Sequence, residues 1–98
     1  MYNMTVTFTS PREFISAEEF DSVGGAILAA DPRFNDVFYH HYLVDNNLEG
    51  TKTLINSTTM KIERNGVTEE QKTILEEMYQ IAKIVFQDNG WNVIWTFE

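Results

Sequence analysis

Residues 68–90 read TEEQKTILEEMYQIAKIVFQDNG, and this stretch decides the fold because its pattern, its start and its end agree. Apolar side chains recur there at the three- and four-residue spacing of one helical face. Thr68 and Gln71 form a capping box at the start, and Gly90 supplies the left-handed residue that ends helices. The stretch therefore predicts a long amphipathic helix that gives the fold its core, through Ile74, Leu75, Met78, Ile81, Ala82, Val85 and Phe86.

Upstream of this helix the chain predicts a strand, a second helix and two more strands. Residues 4–9 alternate apolar and polar side chains, as a half-buried strand does. Ser16 and Glu19 form a second capping box, and the helix that follows, interrupted by Gly24-Gly25, ends where Asp31 meets Pro32. Residues 36–44, rich in aromatic and β-branched types, predict a central strand, and residues 51–64 a long strand with a bulge or break.

Residues 91–97 alternate again and predict a last strand, which completes the order β-α-β-β-α-β. This is the order of the ferredoxin-like fold, an antiparallel four-stranded sheet with two helices on one face. The length of 98 residues predicts one compact α+β domain. We expect the open face of the sheet to carry Phe38, Tyr42 or Ile94 as a partner or dimer interface, unless a curled sheet or a loop covers it.

The charge is the most informative global property of the sequence. Fifteen acidic residues against seven basic ones give a net charge of −8, which disfavours nucleic acid and anionic membranes and favours basic partners. The chain has no cysteine, which excludes disulfides and thiolate metal sites. No apolar run is long enough for a membrane span, so the expected location is the cytoplasm.

Catalytic and metal-binding motifs are not found in the sequence. Adjacent residues of a strand point to opposite faces, so His40 and His41 are not expected to bind one metal ion. An acid/base role for one of them beside Asp36 or Glu63 has no supporting spacing. The serines lie outside any nucleophile elbow, and Gly24-Gly25 lacks the lysine of a phosphate loop. We therefore predict no catalytic residue, no metal and no cofactor.

The acidic residues cluster on the two predicted helices. Because the expected fold places both helices on one side of the sheet, these carboxylates are candidates for a continuous negative face. DNA mimicry requires such segregation, since a charge of −8 spread over the whole surface is far less dense than a duplex. The alternative is a solvated acidic surface. The candidates are Glu13, Glu18, Glu19, Asp21, Glu69, Glu70, Glu76 and Glu77.

In overall character the chain resembles the small acidic inhibitors that phages and mobile elements encode. The likeness lies in the length, the absence of cysteine, the acidity and the lack of catalytic motifs. It implies a non-enzymatic protein that masks the nucleic-acid-binding or catalytic surface of a basic host nuclease, polymerase or defence protein. Carboxylates would steer association and aromatic side chains would anchor it. The candidate partner-binding residues are Glu18, Glu19, Asp21, Glu69, Glu70, Glu76, Glu77, Tyr39, Tyr42, Trp91 and Trp95.

Two alternatives belong to other functional classes. One is a small ferredoxin-like ligand-binding domain or enzyme with a pocket on the open sheet face at a dimer interface. The other is a structural subunit that self-associates through the edge of its C-terminal strand. For the aromatic C-terminal strand itself, core packing is the preferred explanation, because the chain lacks the basic motif of RNA-binding domains that share the ferredoxin-like fold.

Overall fold

The computed structural model describes residues 1–42 and 50–98, in which four strands form one antiparallel sheet and three helices cover it. The architecture is a small single-domain α+β fold. No helix of the described residues is both long and apolar enough to cross a membrane. In chain order the elements are β1 (Tyr2–Thr9), α1 (Ala17–Ala29), α2 (Pro32–Tyr42), β2 (Thr51–Asn56), β3 (Thr59–Val67), α3 (Glu69–Asp88) and β4 (Asn92–Phe97).

The strands lie side by side in the order β2-β3-β1-β4, so β1 and β3 are central and β2 and β4 form the edges. Val6 pairs with Ile62 of β3 on one side and with Trp95 of β4 on the other. The register of β1 and β3 shifts between Tyr2 and Met4. Near this shift Gly66 has a φ of 69°, a left-handed conformation that glycine adopts without strain.

The long helix predicted from residues 68–90 is confirmed as α3. Thr68 and Gln71 form the reciprocal capping box, with hydrogen bonds of 3.0 and 3.1 Å. At the other end the Trp91 N–H donates to the Phe86 carbonyl and the Gly90 N–H to the Gln87 carbonyl, which is the Schellman pattern. The Trp91 ring stacks on the Phe86 ring, with centroids 5.2 Å apart. The end of the helix therefore contributes directly to the core.

The first helix also begins where the sequence predicts. The Glu19 N–H donates to the Ser16 hydroxyl at 3.1 Å, which caps α1. The Glu19 carboxylate accepts from the Ile15 N–H at 3.4 Å instead of completing a capping box on Ser16. Gly24 is buried, and a Cβ on it would lie 3.6 Å from the Phe86 ring. Gly24 therefore lies against α3 at a distance where a methyl group would still make an ordinary van der Waals contact.

The prediction of a central strand over residues 36–44 is wrong as far as residue 42, since this stretch forms helix α2; residues 43–49, with the turn predicted at 45–47, lie outside the described residues. Asp31 caps the helix: its carboxylate accepts from the Arg33 N–H at 2.9 Å and its carbonyl from the Asn35 N–H at 3.2 Å. Pro32 occupies the first helical position, where its missing N–H costs nothing. Asp31-Pro32 therefore ends one helix and starts the next.

The single broken strand predicted over residues 51–64 is two strands joined by a tight turn. Asn56, which interrupts the alternation in the sequence, accepts hydrogen bonds through Oδ1 from the Thr58 N–H and hydroxyl at 3.0 and 3.1 Å. This side-chain turn reverses the chain, and β2 and β3 then pair antiparallel. The total of four strands is thus the predicted one, although two strands differ in position.

All three helices pack on one face of the sheet, where Met4, Val6 and Phe8 of β1 are almost completely buried. The opposite face carries Thr5, Thr7 and Lys61, with Ile94 53% exposed. The expectation that Phe38 or Tyr42 lies on this face is wrong, because both belong to α2. Aromatic side chains of the described strands face the helices instead, since the core needs their area.

The packing of α3 predicts different effects for two isoleucines of the same helix. Ile74 is 7% exposed in the core, whereas Ile84 is 46% exposed. Ile74→Ala should lower the free energy of unfolding by about 2–4 kcal/mol, because it leaves a cavity. The matched control Ile84→Ala should change it by less than about 0.5 kcal/mol. Urea unfolding measures both, and equal losses would show that this face of α3 is misassigned.

Candidate functional site

The described residues form an apolar pocket of about 260 Å³ that opens to solvent. Phe8, Met60 and Ile62 of the sheet form part of its lining, and residues of α1, α2 and α3 contribute the rest. Six aromatic rings face it, those of Phe8, Phe20, Phe34, Phe38, Tyr79 and Phe86. The pocket lies between the helices and the sheet, whereas the sequence-based alternative placed a pocket on the open sheet face.

Helix α1 supplies one wall that is lined by small residues. Gly24 and Gly25 both line the pocket, together with Ala29. Gly25 is exposed at the mouth of the pocket, and a Cβ added to it would meet nothing within 4 Å. A glycine in a helix interior costs about 1 kcal/mol relative to alanine, and at Gly25 no close packing accounts for that cost. The structural feature found at Gly25 is its position in the lining of the pocket.

Helix α2 lies antiparallel to α3, and a polar side-chain contact joins the two helices near each end of α2. Near its start, Arg33 contacts Asp88 at 3.2 Å, and it also contacts Asp31 at 2.7 Å. Near its end, His41 Nε2 lies 3.0 Å from the Glu77 carboxylate. Between these contacts the rings of Phe34 and Phe38 stack with centroids 5.7 Å apart and face the pocket. The polar contacts thus position a pocket wall.

The polar groups that line the pocket are already engaged with partners. The Asp21 carboxylate lies 2.8 Å from Lys52 Nζ, and the Asn35 side-chain amide donates to the Ala29 carbonyl at 2.7 Å. No lysine or arginine lines the pocket among the described residues. An anionic ligand would therefore meet a carboxylate and no cation, whereas a neutral apolar ligand would meet rings and aliphatic groups.

Two of the predicted acidic residues, Glu13 and Glu69, lie at opposite ends of the sheet. Glu13 lies at the β2–β3 turn, where the Ser57 hydroxyl donates to it at 3.4 Å, and Glu69 accepts from the Tyr2 hydroxyl at the other end. Tyr2 and Thr9 bound β1, whose length separates the two ends by roughly 20 Å. Asp21 lies between these ends, because its partner Lys52 is on the strand position that pairs with Ile62 in the middle of β3. The acidic residues are therefore distributed along the length of the sheet.

Four of the seven proposed partner-binding carboxylates have ionic partners within the chain. Besides Asp21 and Glu77, Glu19 contacts Arg12 at 2.9 Å and Glu76 contacts Lys72 at 3.6 Å. Glu69 binds Tyr2, and this hydrogen bond, reinforced by the negative charge, raises the pKa of Tyr2 above its usual 10.0. Glu18 and Glu70 are exposed and have no cationic partner among the described residues. Only part of the predicted charge is free to bind a partner.

The four proposed aromatic anchors occupy different environments. Tyr39 is 67% exposed on α2, and Trp95 is half-buried beside Tyr79, with Lys83 Nζ 5.8 Å from its ring centroid. Trp91 is 5% exposed and packs against Phe14, Phe20 and Phe86, so its ring does not reach the surface. The Tyr42 side chain lies outside the described part of the structure. Tyr39 and Trp95 remain available for contact.

The histidines do not form the arrangements considered from the sequence. His41 is buried and pairs with Glu77 rather than with Asp36 or Glu63. The side chain of His40 lies outside the described residues. Among the described side chains, no group of three or more metal-ligating residues comes together. The arrangement of His41 and Glu77 holds α2 against α3.

Sequence reasoning missed the pocket and the helix that forms one of its walls. The signal was present: Phe34, Phe38 and His41 recur at spacings of four and three residues after an Asp-Pro start, which is a helical period. Gly24-Gly25 indicated either a close approach to a strand or a local break, whereas α1 continues through both glycines and Gly24 lies against Phe86 of α3. Comparison of the chain with protein-family models, with curated proteins and with solved structures found no match.

The cap of α2 predicts a shifted titration. The hydrogen bond from the Arg33 side chain to Asp31, with further backbone bonds, lowers the pKa of the Asp31 carboxyl below 3.8. A carboxyl whose pKa is lower in the folded state stabilises the fold above its unfolded pKa, and this stabilisation is lost as the pH falls through the folded pKa.

Arg33→Gln should therefore raise the pKa of Asp31 and remove part of the stability that the fold has above about pH 4, so that stability falls less steeply as the pH drops below that value. Carboxyl NMR titration of Asp31 measures this, with Lys83→Gln, at a lysine that lies beside Trp95, as the control. If Asp31 titrates alike in the wild type and in Arg33→Gln, Arg33 does not hold the start of α2.

Proposed function

We propose that this protein is a non-enzymatic binding module whose ligand is a small neutral aromatic molecule held in the pocket between α1, α2, α3 and the sheet. The observation that carries the proposal is a pocket of about 260 Å³, lined by six aromatic side chains, inside a chain of only 98 residues. Pockets of this kind, apolar with a few polar groups at their margin, are the usual sites for small molecules.

The apolar surface inside the pocket supports the proposal. The pocket opens to solvent, because Gly25, Ala29 and Asn35 of its lining are exposed. Removing apolar surface from water contributes about 25 cal/mol per Å². A ligand seated in the pocket would cover apolar surface that now faces water, and this burial would favour binding.

The size and charge of the pocket specify the ligand class. An engineered cavity of about 150 Å³ in another protein binds benzene, so about 260 Å³ suits two fused rings or some ten heavy atoms. The Asp21 carboxylate at the margin of the pocket is already paired with Lys52. The described lining therefore offers no cation that would pair with an anionic ligand. Naphthalene and indole match this description, whereas a carboxylate such as naphthoate does not.

We also propose that the fold is a ferredoxin-like arrangement with one added helix. The strand order β2-β3-β1-β4 with every described pair antiparallel supports this, since it is compatible with the β-α-β-β-α-β order once α2 is counted as an insertion after α1. The insertion has a functional consequence, because α2 contributes Phe34, Asn35 and Phe38 to the pocket. Helix α2, which completes the wall of the pocket, is thus the element that the order β-α-β-β-α-β does not contain.

The pocket predicts measurable ligand binding. Naphthalene or indole should bind with a dissociation constant of about 0.1–1 mM, since small ligands gain up to roughly half a kcal/mol per heavy atom. At a tenfold excess over that constant the ligand should stabilise the fold by about 1.4 kcal/mol, visible as a higher Tm. 2-Naphthoate should bind at least about tenfold more weakly, because its charge would be buried without a partner.

Variants at Gly25 test the location of the ligand. Gly25→Leu places a side chain in the open space of the wall and should abolish the Tm shift, while higher helix propensity keeps the fold stable. Gly25→Ala makes the same backbone change with little added volume and should retain binding, as should Ala26→Leu, one residue away and outside the pocket lining. Equal binding by Gly25→Leu and Gly25→Ala would place the ligand elsewhere.

A second candidate function is the binding of a basic protein, as an inhibitor that masks its surface. The net charge of −8 and the exposed carboxylates of Glu18 and Glu70 favour it, with Tyr39 as an exposed aromatic anchor. The partner, a nuclease or another defence or transcription protein, would be met in the cytoplasm of a host cell.

Charge-neutralising variants test this second candidate. Proteins retained from a bacterial lysate at low salt should be lost with the triple variant Glu18→Gln, Glu69→Gln and Glu70→Gln. The matched control Thr51→Lys, Thr53→Lys and Thr96→Lys raises the net charge by the same amount at exposed sheet positions and should retain them. Retention should also fall steeply with salt, because the Debye length shortens. A salt-insensitive complex would contradict electrostatic masking.

A further inference from the structure

The outer edge of β4 is an unprotected strand edge. This strand lies at one end of the sheet and pairs with β1, and its other side pairs with no described strand. Natural proteins protect such edges with charges, proline or bulges. The segment Asn92–Phe97 has no charged residue and no proline, and its register with β1 shows no shift. By contrast, the other edge strand, β2, carries Lys52 and a register shift after Leu54.

The backbone groups that face outward can be assigned from the pairing of β1 and β4. Asn3 and Glu98 exchange two hydrogen bonds, of 2.7 and 2.9 Å, so they form a hydrogen-bonded pair. Such pairs alternate along an antiparallel ladder. Thr96, Ile94 and Asn92 therefore bond to β1, and the N–H and C=O groups of Val93, Trp95 and Phe97 point away from the sheet. The backbone groups of these three alternate residues are therefore available to hydrogen-bond with a new strand.

We propose that the occupant of this edge is a second copy of this chain, paired antiparallel through β4 with Trp95 on the two-fold axis. A two-fold axis perpendicular to the sheet places the helices of both copies on the same face of the joined sheet. Residues that pair across the seam must therefore point to the same face. In this register Trp95 of one copy pairs with Trp95 of the other, and Val93 pairs with Phe97 of the second copy. All the outward backbone N–H and C=O groups then have a partner. A register centred on Ile94 would leave Phe97 unpaired.

The side chains beside the edge fit this register. On the helical face, Trp95 is half-buried in the isolated chain and would meet the same ring of the second copy. On the open face, Ile94 is 53% exposed and would lie opposite Thr96 of the second copy. Lys72 and Lys83 lie over Tyr2 and Trp95, and Glu76 and Glu69 lie beside them, in contact with Lys72 and Tyr2. These opposite charges offset each other, and the strand along which the two copies would meet carries no charge of its own.

The short seam predicts a weak dimer that salt strengthens. A six-residue strand gives an interface at the low end of specific sizes, and we expect a dissociation constant of roughly 10–100 μM. Because each copy carries −8, raising the NaCl concentration from about 0.05 to about 0.5 M should tighten the dimer severalfold. Binding of a basic protein would show the opposite salt dependence, which separates the two kinds of association.

Sedimentation equilibrium across this concentration range, with designed charge pairs, tests the register. Ile94→Glu with Thr96→Glu places like charges opposite each other and should weaken the dimer at least about tenfold. Ile94→Lys with Thr96→Glu in the same chain places opposite charges together only in the Trp95-centred register, and should restore the dimer. Thr53→Glu with Ile55→Glu, on the β2 edge, is the control and should leave the affinity of the dimer unchanged. All these side chains are exposed, so the variants should keep the fold.

A monomeric wild type at about 500 μM would overturn the proposal, since that concentration exceeds the expected dissociation constant severalfold. Unchanged association in Ile94→Glu with Thr96→Glu would also overturn it. Failure of Ile94→Lys with Thr96→Glu to restore the dimer would exclude the Trp95-centred register. None of these outcomes depends on ligand binding in the pocket, which lies between the helices and the sheet.

Discussion

The burial of one face of α3 against the sheet is the interaction on which the rest of the structure depends. Its apolar side chains meet Val6, Phe8 and Val93, all almost fully buried. The caps at both ends fix where the helix starts and stops, and the Schellman turn passes the chain directly to Trp91 and β4. α2 contacts α3 through polar side chains near its two ends and through the core packing of Phe34. The pocket wall that α2 provides is therefore a consequence of the packing of α3.

The parts of the fold that sequence predicts well are those whose local signals agree with each other. α3 combines periodicity, a capping box and a C-terminal glycine, and β1 and β4 alternate cleanly. Residues 36–42 carried conflicting signals, because aromatic and β-branched residues favour strands while Asp31-Pro32 favours a helix start. The Asp31 cap and the packing of Phe34 and Phe38 decide the outcome. Propensity is a weak guide where tertiary packing selects the structure.

The candidate site was harder to predict than the fold, because a cavity is a property of three-dimensional packing. Its lining comes from five elements, and only Gly24-Gly25 and the spacing of Phe34 and Phe38 pointed toward it in the sequence. The acidic residues show the converse case. Their number is plain from the sequence, but the partners of Asp21, Glu19 and Glu77 depend on which cations the fold brings near them. Net charge alone therefore overstates the acidic surface available to a partner.

The most direct test of the central claim, that the pocket accepts an apolar ligand, is a xenon titration followed through the methionine methyl groups. Xenon binds to apolar surfaces inside proteins without needing any specific polar contact. The chain has four methionines, of which Met60 and Met78 line the pocket, while Met4 is buried elsewhere in the core and Met1 is exposed. The account predicts saturable shifts of the Met60 and Met78 signals with Met1 and Met4 nearly unchanged. No shift, or equal shifts for all four, would contradict it.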